Sequence, residues 1–182
     1  MRASRGFLVV SGTLADEHVT IVVCHLPSRG ASAYYREEGG RQLKVVKDSL
    51  LKDDPQVKLL IMGDMNDDPQ DASMAQYLGA KRWQHEVGPT DLFNPFWNML
   101  ASGVGTLSFQ GAWNLFDQII LSSSLINPQQ GALGYHTCEV FRRDYMIQQD
   151  GQYRGTTLRT HAGGRWLNGF SDHLPTIVYL KK

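Results

Sequence analysis

Six residues of this 182-residue chain have types and settings that suit chemistry on a phosphate: His25, Asp64, Asn66, Asp117, Asp172 and His173. They fall in four short stretches, VVCHLPSRG (22–30), LLIMGDMNDDP (59–69), NLFDQIILS (114–122) and GFSDHLPTIVYL (169–180). Each stretch is an apolar, strand-like run that ends or breaks on a polar group. If the runs lie side by side, their polar ends converge at one edge of a sheet stack. Two imidazoles, three carboxylates and a carboxamide suit metal-assisted phosphoester hydrolysis. Oxygen ligands favour Mg²⁺ or Mn²⁺, and a His–Asp pair can serve as an oriented acid or base.

Each residue also has a purely structural alternative. A histidine after a strand can be a hydrogen-bonding residue, an aspartate after a glycine can make a turn, and Asp172-His173 can be a turn dipeptide. Asp117 is harder to dismiss. A carboxylate beside Phe116, Ile119 and Ile120 costs several kcal/mol if buried alone, so it requires a partner, and a histidine is the natural one.

The elements that must hold these groups can be read from periodicity. Residues 6–13 and 18–25 are rich in Val, Ile and Thr around a turn-like gap and predict a β-hairpin. Residues 26–40 carry loop punctuation. Leu43, Val46, Leu50 and Leu51 fall at helical spacing within 36–52, ended by Asp53-Asp54-Pro55. A strand follows at 57–63, then a short helix at 71–79 that closes on Gly79. Residues 91–101 are aromatic and half helical. Residues 106–110 and 115–121 read as a strand pair, 129–171 as the least regular part, and 174–180 as a last strand. This alternation predicts an α/β (α+β) class in a single domain over 1–182.

Composition narrows the function classes. Eighteen basic and 18 acidic residues give zero formal net charge, which does not support a large non-specific DNA footprint. Local basic clusters such as Arg36/Arg41/Lys44/Lys47 and Arg154/Arg159/Arg165 read first as solvated surface. Two cysteines, Cys24 and Cys138, imply no disulfide framework and fix no compartment. No apolar run reaches membrane-spanning length. The N-terminus carries positive charge, and the run after it is too short and too β-branched for a signal peptide.

In order and context, the four stretches resemble the endonuclease/exonuclease/phosphatase superfamily, with its deoxyribonuclease-I-like fold. The matching motifs are His25-Leu26-Pro27, Gly63-Asp64-Met65-Asn66, the strand aspartate Asp117 and Ser171-Asp172-His173. Segments 91–122 and 165–180 are similar to a bacterial branch of it. The resemblance implies a four-layer α/β/β/α sandwich and a metal-dependent phosphoesterase. It implies that His173 is the catalytic histidine, Asp117 the aspartate that orients it, and Asp64 a group that positions or deprotonates water or helps hold a metal. Asn66 would donate to a phosphate oxygen, and His25 would contact the phosphate or protonate the leaving oxygen. Asp172 would join Asp64 in the metal shell, with Mg²⁺ or Mn²⁺ as cofactor. Arg29 is a candidate phosphate fork and His161 a candidate substrate contact.

The resemblance also implies that the N-terminal portion of the usual fold is absent, and with it the main metal-binding glutamate. Glu17, Glu37, Glu38, Glu86 and Glu139 do not stand in its context. The expectations are a partial active site, weak metal affinity, and self-association through the face left open. DNA, RNA, an inositol or sugar phosphate and a phospholipid head group all remain open as substrates. A non-catalytic remnant that keeps the fold for binding is the competing reading.

Overall fold

The computed structural model describes residues 5–109 and 111–182; residues 1–4 of the basic N-terminus and Gln110 lie outside the described residues. The predicted hairpin forms from β1 (Leu8–Leu14) and β2 (Glu17–His25). Helix α1 (Ala33–Asp53) follows, then β3 (Lys58–Asp64), a π-helical turn (Ser73–Leu78), β4 (Ala80–Lys81) and β5 (Leu92–Phe93). Helix α2 (Trp97–Ala101) leads into the hairpin β6 (Leu107–Phe109) and β7 (Ala112–Asn114), followed by β8 (Asp117–Ser122) and α3 (Ser123–Ile126). The chain continues through β9 (Gly134–Val140), the small hairpin β10 (His161–Ala162) and β11 (Arg165–Trp166), and β12 (Thr176–Lys181). Among the described residues, no helix is long and apolar enough to cross a membrane.

The main sheet has the order β1-β2-β3-β8-β5-β4, and β12 pairs with β9 in a second sheet. Alternation along β3 gives each face its own core. Leu59 and Ile61 pack with Leu43, Leu51, Met74 and Ile120 toward α1 and the π-helical turn. Leu60 packs with Phe93, Ile119, Leu121, Val140 and Leu174 toward the second sheet, with Val178 and Leu180 against them. The resulting layers are helix, sheet, sheet.

Three sequence expectations change. The helix begins at Ala33, inside the stretch read as loop, because Ser32 caps it by accepting from the Tyr34 N–H. Gly39 and Gly40 are helical residues and not punctuation: a Cβ on Gly40 would collide with the Ser73 carbonyl, so the glycine lets the π-helical turn approach. The 106–110 strand pairs with β7 and not with 115–121; β8 instead joins the main sheet beside β3. Finally β9, within the part read as irregular, is the partner of the last strand.

β1 is an edge strand, and among the described residues nothing covers its outer side. All seven of its residues are exposed, including Leu8, Val9, Val10 and Leu14, and none is charged. Natural edges are normally blunted by charge, proline or a bulge. The chain is therefore expected to run above monomer mass in multi-angle light scattering at micromolar concentration. A monodisperse monomer would contradict this.

Candidate active site

The strand register builds the site. β2 pairs in parallel with β3 so that His25 lies opposite Asp64, and β3 pairs antiparallel with β8 so that Asp64 lies opposite Asp117. Three of the four polar strand ends thus form one row across neighbouring strands. Gly63 makes the row possible. Its φ of 141° is disfavoured for other residues, and a Cβ there would strike the Cys24 carbonyl.

The fourth stretch does not lie beside the other three. It belongs to the second sheet and delivers His173 across the gap just before β12. His173 Nδ1 is 2.7 Å from Asp117 Oδ2, which supplies the partner that Asp117 requires and leaves the other ring nitrogen for chemistry. Three hydrogen bonds to Thr106 fix this pair. Thr106 Oγ1 accepts from the Phe116 and Asp117 N–H groups, and the Thr106 carbonyl accepts from the Leu174 N–H at 2.8 Å.

Asp64 is held from its own strand end. Its Oδ1 accepts from the Asn66 backbone N–H (2.8 Å) and its Oδ2 from the Asn66 carboxamide (3.1 Å). The second carboxamide hydrogen goes to the Leu26 carbonyl, and Asn66 adopts φ 52°, a left-handed conformation that asparagine tolerates. Both amide donors of Asn66 are therefore engaged within the protein, orienting Asp64. His25 Nε2 lies 3.4 Å from Asp64 Oδ2, with about half of its side chain exposed.

The remaining candidates fall elsewhere. Arg29 directs its guanidinium at the Asn66 carbonyl, Asn114 Oδ1, Asp68 and Asp71, over the Phe116 ring. With these bonds it braces the loop after β3. Asp172 is exposed and stands outside the group formed by Asp64, Asp117 and His173; its carbonyl accepts from Thr157 Oγ1. His161 sits in the outer β10–β11 hairpin, edge-on to Trp166.

Sequence reasoning missed the buttress behind the row. Gln118 is fully buried in β8; it donates to the Asp67 and Leu115 carbonyls and accepts from Asn94. Asp68 accepts from the Leu115 N–H at 2.6 Å, and Asp67 pairs with Arg36 of α1. The available signal was a polar glutamine inside an apolar strand, together with two acids directly following the Gly-Asp-Met-Asn motif.

Electrostatics follow from this packing. Burial pushes the Asp64 carboxyl above its ordinary range, the hydrogen bond from the Asn66 N–H lowers it, and the Asp117 charge raises it further. The hydrogen bond to Asp117 raises the His173 imidazole above its ordinary value, against desolvation. The folded state thus favours imidazolium. Its contribution to stability is fully present below about pH 6.5 and is lost as pH rises through the elevated folded value. In an NMR titration of the metal-free chain, the His173 ring is expected to titrate above about 6.5, and Asp117→Asn to bring it down. A midpoint at or below the ordinary value would contradict the pairing. Cys24, pushed up to about 12 mainly by burial, is no nucleophile.

Ligand atoms of Asp64, Asp117 and His173 lie within 4.8 Å of one another. Mg²⁺ is commonly held by one or two carboxylates, its waters and a substrate phosphate, and this donor set fits such an ion. Both carboxylates already accept hydrogen bonds within the site, so the fit is to a weak site.

The Endonuclease/Exonuclease/phosphatase family model matches residues 1–182. No curated protein matches the chain. Among solved structures, Danio rerio TDP2 complexed with a single-strand DNA product is similar, at 16% identity and a TM-score of 0.56, covering 97% of this chain and 61% of that one. Staphylococcus aureus beta toxin, an F277A, P278A mutant with bound magnesium ions, is similar at 17% identity and a TM-score of 0.54, covering 96% and 57%. The Bacteroides thetaiotaomicron mannosyl-6-phosphatase Bt3783 is similar at 15% identity and a TM-score of 0.54, covering 92% and 53%. The chain thus spans a little over half the length of the structures it resembles, and they share its fold. With the family model matching over its whole length, the chain belongs to the Endonuclease/Exonuclease/phosphatase family.

Proposed function

We propose that this chain hydrolyses phosphoesters by attack of water, with the row His25–Asp64–Asp117 and the crossing His173 as its machinery. The register that sets three polar strand ends side by side, with His173 bonded to Asp117, carries this reading. The imidazolium favoured at His173 suits a partner for phosphate charge. Asp64, made more basic by burial, suits the group that takes the proton from the attacking water. As the P–O bond breaks, the departing oxygen takes a proton from His25, the most exposed member of the row. Asn66 keeps the Asp64 carboxylate oriented, and Asp117 does the same for the His173 ring.

Asp64 and Asp117 are the residues that would hold Mg²⁺ or Mn²⁺, and the ion would neutralise charge building on the phosphate. A magnesium-bearing structure of the same fold supports this choice. Nucleic acid is one candidate substrate, supported by the fold neighbour bound to single-strand DNA, and a sugar phosphate is another, supported by the mannosyl-6-phosphatase. Zero net charge argues against gripping a long duplex. The test is turnover of bis(p-nitrophenyl) phosphate with Mg²⁺ or Mn²⁺ against chelator. Turnover indifferent to the metal would contradict the metal assignment.

A further inference from the structure

A cavity of about 410 Å³ is lined in part by Phe109, Gln148, Tyr153, Thr156, Thr157 and Arg159. Its volume falls within the range of small-molecule sites. Its lining is tied to the catalytic pair at two points. Thr157, at the back of the cavity, donates through Oγ1 to the carbonyl of Asp172, the residue before His173. The β6–β7 hairpin that carries Phe109 springs from Thr106, whose hydroxyl accepts from the Asp117 N–H. A substrate whose phosphate meets Asp64 and His173 has this cavity, tied to the residue before His173, to take the rest of the molecule.

The lining is unusual for plain surface. Phe109 and Tyr153 leave more than half of their surface exposed, a solvent-facing arrangement that suits ring stacking. Arg159 is half-buried, and among the described residues no acceptor or ring partners its guanidinium. Gln148 donates its amide to the Asp150 carbonyl, which leaves its side-chain oxygen as an acceptor. Two aromatic faces with a planar donor and an amide acceptor match a planar heterocycle that presents both donors and acceptors.

Resting on the phosphoester-hydrolase reading, we propose that this cavity is a nucleobase subsite, which makes the substrate a nucleotide or the end of a single strand. Phe109 and Tyr153 offer faces to the base, and Arg159 and Gln148 meet its edge. A sugar phosphate can lie against an aromatic face but offers no planar edge for Arg159 and Gln148.

The test is binding to the full chain, in chelator, of thymidine 5′-monophosphate, ribose 5-phosphate and inorganic phosphate, followed by NMR. The nucleotide is expected to bind about 5- to 150-fold more tightly than ribose 5-phosphate, the range of one stacked base. That excess should fall to within about twofold in a Phe109→Ala/Tyr153→Ala variant shown folded by circular dichroism, and should shrink in Arg159→Gln. Equal binding of nucleotide and sugar phosphate by the wild-type chain would overturn the subsite, as would an excess that survives both variants or the binding of none of the three. Base-dependent binding without any diester hydrolysis would leave the subsite standing and remove the hydrolase reading. Hydrolysis without base preference would do the reverse.

Discussion

Replacing His173 with alanine is expected to lower phosphoester turnover by about 10²- to 10⁴-fold, the range over which a positioned proton-transfer or charge-stabilising imidazole acts. The side chain is only partly buried, and its structural bond is the one to Asp117, so circular dichroism should change little. Asp117→Asn is the sharper variant. The amide keeps the size of the carboxylate but no longer favours imidazolium, so the ring loses its charge preference and its fixed orientation. Turnover should fall by a comparable factor, with the His173 titration moving down at the same time. A His173→Ala chain within about threefold of wild type would show that this histidine does no chemistry.

The second large effect is on stability. Arg36 Nε meets Asp67 Oδ1 at 2.7 Å, and both side chains are 7% exposed. Arg36 also donates to the Ser28 and Ala31 carbonyls, and Ser73 donates to the other Asp67 oxygen at 2.6 Å. Burial pushes the Asp67 carboxyl up, while the hydrogen bonds from Ser73 and Arg36 pull it down. Truncating Arg36 leaves the buried Asp67 with only the longer Arg29 contact (3.7 Å) and the Ser73 hydroxyl, and truncating Asp67 leaves the Arg36 guanidinium buried without its carboxylate. Arg36→Ala or Asp67→Ala is expected to cost about 3–5 kcal/mol, a large part of the total stability of a domain. Near this chain length that is a fall of roughly 10 °C in Tm. A loss below about 1 kcal/mol in urea unfolding would mean that water reaches the pair. Asp67 follows directly on Asn66, so these variants should also loosen Asp64 and slow turnover in the fraction that remains folded.

The row was legible in the sequence because its chemistry sits where hydrophobic periodicity stops. His25, Asp64 and Asp117 each mark a strand end or start, and the bond from Asp117 to a histidine follows from the cost of an isolated carboxylate. What periodicity could not supply was which strands adjoin. β8 reads as the hairpin partner of 106–110, yet Gly111 at φ 80° turns the chain early, into β7. β9, GYHTCEV, alternates weakly because most of it is only partly covered, by its partner β12 and the Phe93 cluster. The roles of Arg29 and Asn66 were hidden for a different reason. Residue type says that a guanidinium or a carboxamide can meet a phosphate, but only the packed structure shows that Asp68, Asp71, Asn114 and Asp64 already hold them.

The most direct measurement compares the chain with an Asp64→Asn/His173→Ala variant on bis(p-nitrophenyl) phosphate, over micromolar to millimolar Mg²⁺ and Mn²⁺ and in chelator. The predicted result is turnover that rises only toward millimolar metal, as two already bonded carboxylates require, and that vanishes in the variant and in chelator. No turnover at any metal concentration from a wild-type chain shown folded by circular dichroism would contradict the claim that this row is a working site. Turnover that survives the double variant would place the chemistry elsewhere.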